Sequence, residues 1–321
     1  MNSYSKMIYK TLIVLMLLQV ITSPVFSAIK SGRTKDSRTV NNELPPNVKS
    51  QFKFIGGLMF VEVTINGVKG LLLVDTGSNG FVLLNAEHFK TTATGQTMAG
   101  MGGTVKMEEV KVESFEWENV QIKDRSFPAM KMSQLTTGTS EKVLGLIGSA
   151  FFKPYQLTLN FASRELNLSK TSGDAPIVKN IRSIIQVPFT LIGGFPVVEV
   201  NIAGKNHRFV MDTGATDNLI DTGFETELSG IWKQTQEVNM SEGSGNGGNV
   251  RRGILDRMTI GGLNMDKIQM GLHTMPAFDQ EKGISGILGF QFLKYFYVDI
   301  NYINNTMRFY DMAQVLQQPK K

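Results

Sequence analysis

Two aspartates, each followed by threonine and glycine, are the residues of this chain best suited to do chemistry. Asp75 ends the apolar run at residues 71–74, and Asp212 ends a similar run at residues 209–211. Two carboxyl groups held close together cannot both ionise cheaply, so they share one proton, and one acts as a base while the other acts as an acid. Such a pair could activate water for attack on a carbonyl group.

The two motifs occupy matching places in an internal repeat. Residues 56–67 align with residues 193–204 at an offset of 137, and the same offset carries the first aspartate onto the second without a gap. A second block, residues 145–153, aligns with residues 286–294. Each half of the chain therefore supplies one aspartate, and packing the halves about a pseudo-twofold axis would bring the aspartates together.

The elements around both motifs have the pattern of β-strands. Residues 60–65 alternate loosely between apolar and polar side chains and end at the Asn66-Gly67 hairpin signal. Residues 70–74 are continuously apolar, which is typical of a strand buried on both faces. Gly77 then allows a sharp backbone turn.

With these residues in view, each half resembles one lobe of an aspartic peptidase. A strand ends in Asp-Thr-Gly-Ser or Asp-Thr-Gly-Ala, and an apolar-apolar-Gly turn with a short helix follows much later. Residues 286–300 resemble the late strand-helix-strand block of the pepsin-like and retropepsin-like families, and the likeness covers residues 52–311. It implies an all-β, bilobal acid-protease fold with few short helices, in which two pseudo-twofold-related, β-barrel-like lobes flank a cleft.

The same resemblance implies an aspartic endopeptidase in which Asp75 and Asp212 bind the attacking water. The threonines would cross-link the two Asp-bearing turns by hydrogen bonds, and the glycines would let the two backbones approach. No metal or organic cofactor is implied. The residues expected to support the dyad adjoin it in the two motifs: Thr76, Gly77, Ser78, Thr213, Gly214 and Ala215.

The motifs differ in their fourth residue, which is Ser78 in the first and Ala215 in the second. A hydroxyl at this place could donate a hydrogen bond to the neighbouring carboxylate and lower its pKa. Because only Asp75 would have such a donor, we predict that the shared proton rests more on Asp212, although the titration belongs to the pair. We also predict a milder pH optimum than that of a strongly acid enzyme.

Two glycine-rich stretches, residues 97–104 and 243–248, are predicted to be mobile flaps over the cleft. The first lacks the tyrosine of a pepsin-like flap and is closer to a retropepsin flap; the alternative is a pair of solvated loops. The candidate flap and substrate residues are Met98, Gly100, Met101, Gly102, Gly103, Gly245, Gly247 and Gly248. Apolar subsites are predicted to involve Met98, Met101, Phe81 and Ile147.

The amino terminus has the pattern of a secretory signal. Lys6 and Lys10 precede an apolar segment at residues 11–21, and small residues suited to cleavage follow at 25–28. The alternative is an uncleaved anchor, but the segment is short against the ~20 residues that span a bilayer. The sequence therefore predicts export to a periplasm or to the exterior, and the lack of cysteine leaves stability to core packing.

The predicted domain organisation follows from the repeat and from the composition of the segments around it. A flexible leader could alternatively be a basic pro-segment. The predicted divisions are signal peptide 1–28, flexible leader 29–50, N-terminal lobe 51–170, connector 171–184, C-terminal lobe 185–312 and polar tail 313–321.

The predicted partner is a peptide or protein substrate, bound by a monomer whose halves pair within one chain. The formal charge of +5, which becomes +3 without Lys6 and Lys10, is too small to indicate a nucleic-acid or anionic-membrane partner. Two alternatives stay open: a non-catalytic peptide-binding protein with the same fold, and pairing of halves between chains.

Other signals in the sequence have ordinary explanations. Residues 243–248 fit a dinucleotide-binding fingerprint, but no helix is predicted after them. Arg251 and Arg252 are interpreted as a solvated charge pair, with the alternative that they favour an acidic substrate side chain. No metal-ligand spacing links the three histidines, His88, His207 and His273.

Overall fold

The computed structural model describes residues 42–100, 103–136, 139–170, 181–241, 247–275 and 283–317. Nearly all of the regular structure in these residues is β, with three short α-helices. The predicted all-β fold class is confirmed.

The strands of the second half repeat those of the first half in order. The first half contains β1 (Asn47–Gln51), β2 (Lys53–Ile55), β3 (Leu58–Ile65), β4 (Val68–Asp75), β5 (Val82–Asn85), β6 (Thr92–Gly100), β7 (Gly103–Trp117), β8 (Val120–Met130), β9 (Val143–Gly148), α1 (Ser149–Phe152), β10 (Gln156–Asn160) and β11 (Glu165–Ser169). The second half contains β12 (Ile185–Pro188), β13 (Thr190–Ile192), β14 (Phe195–Ile202), β15 (Lys205–Met211), β16 (Leu219–Asp221), β17 (Trp232–Ser241), β18 (Gly247–Ile260), β19 (Leu263–His273), β20 (Gly286–Leu288), α2 (Phe290–Leu293), β21 (Phe296–Asn301), β22 (Thr306–Asp311) and α3 (Met312–Leu316).

Each half forms a lobe whose central strands close into a ring. In the first lobe the hydrogen-bonded order is β3-β4-β9-β5-β8-β7, and pairing of β7 with β3 completes the ring. In the second lobe the order is β14-β15-β20-β16-β19-β18, closed by pairing of β18 with β14. The prediction of two related, β-barrel-like lobes is therefore confirmed.

The strand that leads to the first aspartate is buried on both faces, as its continuous apolar run predicts. Leu72 and Val74 belong to the large core shared by both lobes, whereas Leu71 and Leu73 belong to a separate apolar cluster of the first lobe. Strand β4 also lies in the middle of its sheet, between β3 and β9. Asp75 is thus held at the end of a strand that has little freedom to move.

A six-stranded sheet, in the order β1-β11-β10-β21-β22-β12, joins the two lobes. Its central pair is β10 from the first half and β21 from the second, which run antiparallel. Leu157, Leu159, Val298 and Ile300 from this pair all enter the shared core. Both halves of the chain therefore contribute strands and core residues to one sheet.

The start of the folded region differs from the predicted leader 29–50. Strand β1 pairs with β11, and Val48 is buried. Before that strand, the Pro45 carbonyl accepts a hydrogen bond from the Tyr155 hydroxyl at 2.8 Å. The sequence analysis missed this strand because it lies at the edge of a sheet. Only alternate side chains such as Val48 and Ser50 turn inward there, so the segment is mostly polar.

The carboxyl-terminal end also differs from the predicted polar tail 313–321. Helix α3 begins after Asp311, whose side chain accepts a hydrogen bond from the Ala313 amide at 2.8 Å. Most of the connector and all of the first 41 residues lie outside the described residues, so their boundaries stay predictions. No helix in the described part of the chain has the length and apolar character to cross a membrane.

Candidate active site

Two tight turns place the aspartates against each other at the junction of the lobes. Asp75 is the last residue of β4, Asp212 directly follows β15, and both are fully buried. A Cβ atom on Gly77 would lie 2.2 Å from the Asp212 Cγ, and one on Gly214 would lie 2.6 Å from the Asp75 Cγ. Each glycine therefore packs on the opposite carboxyl group, and any larger residue would collide with it.

Reciprocal hydrogen bonds between Thr76 and Thr213 join the two turns. The Thr76 amide donates to the Thr213 hydroxyl oxygen at 3.0 Å, and the Thr213 amide donates to the Thr76 hydroxyl oxygen at the same distance. The hydroxyls in turn donate to the carbonyls of Met211 and Val74, each at 2.7 Å. Four buried hydrogen bonds thus fix the spacing of the aspartates.

Burial raises the pKa of both carboxyl groups. For Asp75, burial comes first and the charge of Asp212 second, and together they raise its pKa well above the ordinary value. Burial raises the pKa of Asp212 to about 6, against the opposing effect of the Gly214 amide, which donates to Asp212 Oδ1 at 2.7 Å. The pair therefore carries one proton at pH values between the two raised pKa values.

The described hydrogen bonds favour the opposite side of the pair for the shared proton from the one predicted. No described residue donates a well-formed hydrogen bond to either carboxylate oxygen of Asp75, so the Ser78 hydroxyl does not play the expected part. Asp212 has the donor instead, from the Gly214 backbone. The Gly214 donor therefore favours the negative charge on Asp212 and the proton on Asp75.

Ser78 and Ala215 support the dyad through their backbones. The Ser78 carbonyl accepts from the Ser149 amide of α1 at 2.7 Å, and the Ala215 carbonyl accepts from the Phe290 amide of α2 at 2.8 Å. Each Asp-bearing turn is thereby tied to the short helix of its own lobe. The side chain at this position has a smaller part in the geometry than the motif comparison predicts.

Two family models match the chain, one in each half. Residues 61–151 match a family described as "Aspartyl protease", and residues 198–295 match one described as "gag-polyprotein putative aspartyl protease". Each matched segment contains one Asp-Thr-Gly motif. The chain belongs to an aspartic peptidase family. Among solved structures, the aspartic proteinase from Irpex lacteus is similar to this chain at 12% identity and a TM-score of 0.49, over 84% of this chain and 99% of that one. No curated protein sequence matches this chain.

The structure also has contacts between the two lobes that the motifs do not reveal. On one side of the dyad, the Asn79 amide group donates to the Gly193 carbonyl at 3.0 Å, and the Ser149 hydroxyl donates to the Gly194 carbonyl at 2.7 Å. On the other side the contact is apolar, with the rings of Phe54 and Phe290 4.5 Å apart. The repeat could have located these positions, but it could not have identified their partners.

Tyr302 is a further residue that the sequence analysis did not select. Its ring packs between Phe152 and Phe189, and its hydroxyl is buried without a hydrogen-bond partner among the described residues. Burial, followed by the charges of Asp75 and Asp212, raises the pKa of this phenol. Tyr302 is therefore a neutral residue within electrostatic reach of the dyad.

The predicted flap residues that the structure describes lie on two hairpins, β6–β7 and β17–β18, one in each lobe. Met98 is on β6, where it is buried in an apolar cluster with Met107 and Leu135. Gly100 and Gly103 flank the first tip, and Gly247 and Gly248 begin β18. The predicted flap residues outside the described part of the chain are Met101, Gly102 and Gly245.

Two residues predicted to line subsites have other surroundings. Ile147 is fully buried in the shared core, because β9 is covered on both faces, so it is a core residue. Phe81 is partly buried, with its ring 4.8 Å from that of Phe151 and the Arg125 guanidinium 4.5 Å from its centroid.

The adjacent arginines form ion pairs. Both oxygens of Glu225 accept from Arg251 at 2.6 Å, near the surface. Arg252 Nη2 donates to Asp217 Oδ2 at 2.7 Å, and only 19% and 10% of these two side chains are exposed. Because Arg252 lies on β18 and Asp217 follows the second motif, this pair ties the root of the second flap to the turn that carries Asp212.

The part of the chain that the structure describes contains no cluster of side chains suited to bind a metal ion. No group of three or more histidine, cysteine, aspartate or glutamate side chains there could hold an ion. His207 instead contacts Glu227 at 2.7 Å, and His273 contacts the Asn249 carbonyl at 3.1 Å. The candidate site consists of the dyad and the groups that hold it in place.

Proposed function

We propose that this aspartic peptidase is an active endopeptidase that hydrolyses peptide bonds with the Asp75–Asp212 pair. The observation that carries the proposal is the contact of two buried carboxyl groups, one from each lobe, with raised pKa values. A binding protein has no need of such a pair, because burying two carboxyl groups together costs stability.

The geometry supports general acid–base catalysis with unequal starting roles. Ionised Asp212 removes a proton from water while the water oxygen attacks the carbonyl carbon, and Asp75 gives its proton to the carbonyl oxygen. The tetrahedral intermediate then collapses. The C–N bond breaks, the leaving amine takes the proton held by Asp212, and a hydroxyl of the intermediate returns a proton to Asp75. The pair ends with the single proton with which it began.

The substrate we propose is an extended peptide that lies under both flaps. Edge strands and hairpins can bind a peptide backbone by adding it as a further strand, while alternate side chains enter pockets. Met98 and Met107, buried on the two strands of the first flap hairpin, favour apolar side chains because thioethers adapt to irregular shapes. The functional unit we propose is a monomer.

The experiment is cleavage of an unstructured protein such as casein from about pH 3 to 8, a range that includes the raised pKa of Asp212, about 6. We expect cleavage by the wild-type chain and loss of at least about a hundredfold in rate for Asp75→Asn and Asp212→Asn. The matched control is Asp256→Asn, which changes an exposed aspartate paired with Lys267, and it should keep wild-type activity. A folded chain that binds casein but cleaves nothing at any pH would contradict the proposal and favour a peptide-binding protein.

We also propose that the peptidase is exported. The support is the basic and apolar pattern of residues 1–28, followed by small residues. Mass spectrometry of the chain from an expressing cell should find it outside the cytoplasm, beginning after Ser27 or Ala28. A chain that keeps its first residues and stays in the cytoplasm would contradict this prediction.

A further inference from the structure

The seam between the halves, where β10 pairs with β21, has a symmetric strand register but different side chains at equivalent positions. Strands β10 and β21 pair so that Leu157 lies opposite Ile300, Thr158 opposite Asp299 and Leu159 opposite Val298. In the internal repeat, the late blocks of the two halves are offset by 141 residues, which makes Thr158 and Asp299 equivalent. The pseudo-twofold axis therefore passes between these two residues.

This register fixes what a seam between two copies of the same half would contain. If β21 paired with β21 of a second copy about the same axis, Asp299 would lie opposite Asp299. If β10 paired with β10, Thr158 would lie opposite Thr158. Side chains directly opposite in an antiparallel pair have Cβ atoms about 5 Å apart, and like charges in that position repel.

Within one chain, Asp299 has complementary partners. Gln156 Nε2 donates to both of its carboxylate oxygens at 2.8 Å, and Arg308 Nη1 lies 3.6 Å from Oδ2. Asp299 is fully buried and Arg308 is 4% exposed. A buried charge is tolerated where an opposite charge and hydrogen bonds accompany it.

The first half has a neutral pair at the equivalent places. Asn167 corresponds to Arg308, and its Nδ2 donates to Thr158 Oγ1 at 3.5 Å. Gln156, the donor to Asp299, corresponds to Tyr297 in the second half, so a seam between two second halves would also lose both amide hydrogen bonds. The ionic pair is thus confined to one half.

We propose that Asp299, with Arg308, makes the seam accept the first half of its own chain and reject the second half of another copy. In a seam between two second halves, each Asp299 would keep the Arg308 of its own half, but it would lose both Gln156 hydrogen bonds and face a second buried carboxylate that repels it. The charge therefore selects the partner of β21. This inference concerns assembly and does not rest on peptidase activity.

The test is the double variant Asp299→Thr and Arg308→Asn, which gives the second half the neutral residues that the first half has at the equivalent positions. The full chain would be unfolded and then refolded over a hundredfold range of concentration. Its molar mass would be measured by light scattering after gel filtration. We expect the wild type to keep one mass and the double variant to form larger species at rising concentration. The matched control is Arg257→Asn with Asp266→Thr, an exposed ion pair of the same half, and it should behave like the wild type.

A second variant separates partner choice from lost stability. This quadruple variant moves the ion pair to the first half by the changes Thr158→Asp, Asn167→Arg, Asp299→Thr and Arg308→Asn. If the charge selects the partner, this chain should return to the wild-type mass, because aspartate again lies opposite threonine. If it forms larger species as well, general loss of stability explains both results and the proposal is wrong.

A double variant that folds and keeps the wild-type mass at every concentration would also overturn the proposal. If the double variant does not fold, Asp299→Asn replaces it, since this change removes the charge and keeps the shape of the side chain. The same outcomes apply to that variant, with folding checked by circular dichroism.

Discussion

At the scale of single residues, the dyad depends on what is missing beside it as much as on the carboxyl groups. Gly77 and Gly214 leave room for the opposite aspartate, and the Gly214 amide donates a hydrogen bond of 2.7 Å to Asp212 Oδ1. The asymmetry of the pair thus originates in a backbone group. Its consequences can be tested by enlarging Gly77, by varying the pH and by removing the charge of Asp212.

Gly77→Ala should abolish activity, because its Cβ would lie 2.2 Å from the Asp212 Cγ. We expect at least about a hundredfold loss of kcat and about 1–3 kcal/mol of destabilisation by overpacking. Casein cleavage and denaturant unfolding measure the two effects. Gly80→Ala is the matched control in the same turn, since its nearest contact is 3.8 Å away. Equal effects of both changes would contradict the steric argument.

The pH profile should be bell-shaped, because catalysis needs one proton on the pair. Below the pKa of Asp212, which is raised to about 6, the pair takes up a second proton and activity falls. Activity falls again at higher pH, where Asp75 loses its proton. The measurement is kcat/KM against pH. An optimum near pH 3, with no activity near pH 6, would contradict the assignment.

Stability should depend on pH in a definite direction. Both pKa values are raised in the native state, so it binds more protons than the unfolded chain, and stability is lost as pH rises from 3.8 through about 6. Asp212→Asn removes an ionisation that burial opposes. We expect the variant to be more stable than the wild type by a few kcal/mol at about pH 8 and equally stable at about pH 3. Denaturant melts at both pH values test this, and an equal difference at both would exclude the linkage.

At the scale of elements, the two flap hairpins are anchored in different ways. The first packs its β6 strand on an apolar cluster that contains Met98, Met107 and Leu135. The second is tied to the turn of Asp212 by the Arg252–Asp217 ion pair. At the place of Asp217 the first lobe has Gly80, which cannot form such a pair. The lobes are therefore related in topology but not in how their flaps are held.

Arg252→Gln should raise KM more than it lowers kcat, because it loosens the root of the second flap and leaves Asp217 without its cation. We expect a stability loss of about 2 kcal/mol, less than for a fully buried pair. Arg251→Gln, which breaks the more exposed pair with Glu225, should cost less than about 1 kcal/mol. The double variant Arg252→Asp with Asp217→Arg exchanges the two charges and should bring KM part of the way back to the wild-type value. A loss of kcat alone would indicate a different role.

At the scale of the whole molecule, the interlobe sheet makes the two halves into one structure. Strand β1 forms one edge of this sheet, and the Trp117 indole donates to Ser50 Oγ at 3.1 Å from the barrel of the first lobe. The segment before β1 is held as well, since the Lys170 amide donates to the Pro46 carbonyl at 2.8 Å. Residues 42–51 are therefore part of the fold.

A chain that begins at Phe52 should be much less stable than one that begins at Asn42, because β11 would lose its outer partner. Removing the buried Val48 side chain alone should cost about 2 kcal/mol. Thermal melting of the two chains measures the difference. Equal melting temperatures would show that residues 42–51 are dispensable, as the leader prediction implied.

The sequence by itself determined the parts of this protein that depend on local pattern and on repetition. The apolar run before Asp75 predicted a strand buried on both faces, and the constant offset to Asp212 predicted two related lobes that bring the aspartates together. Tertiary structure decided which aspartate holds the proton, where Arg252 finds its partner and how β1 joins the sheet. These features depend on contacts between residues far apart in the chain, such as Gly77 with Asp212, and the identity of a residue does not specify which distant group will lie against it.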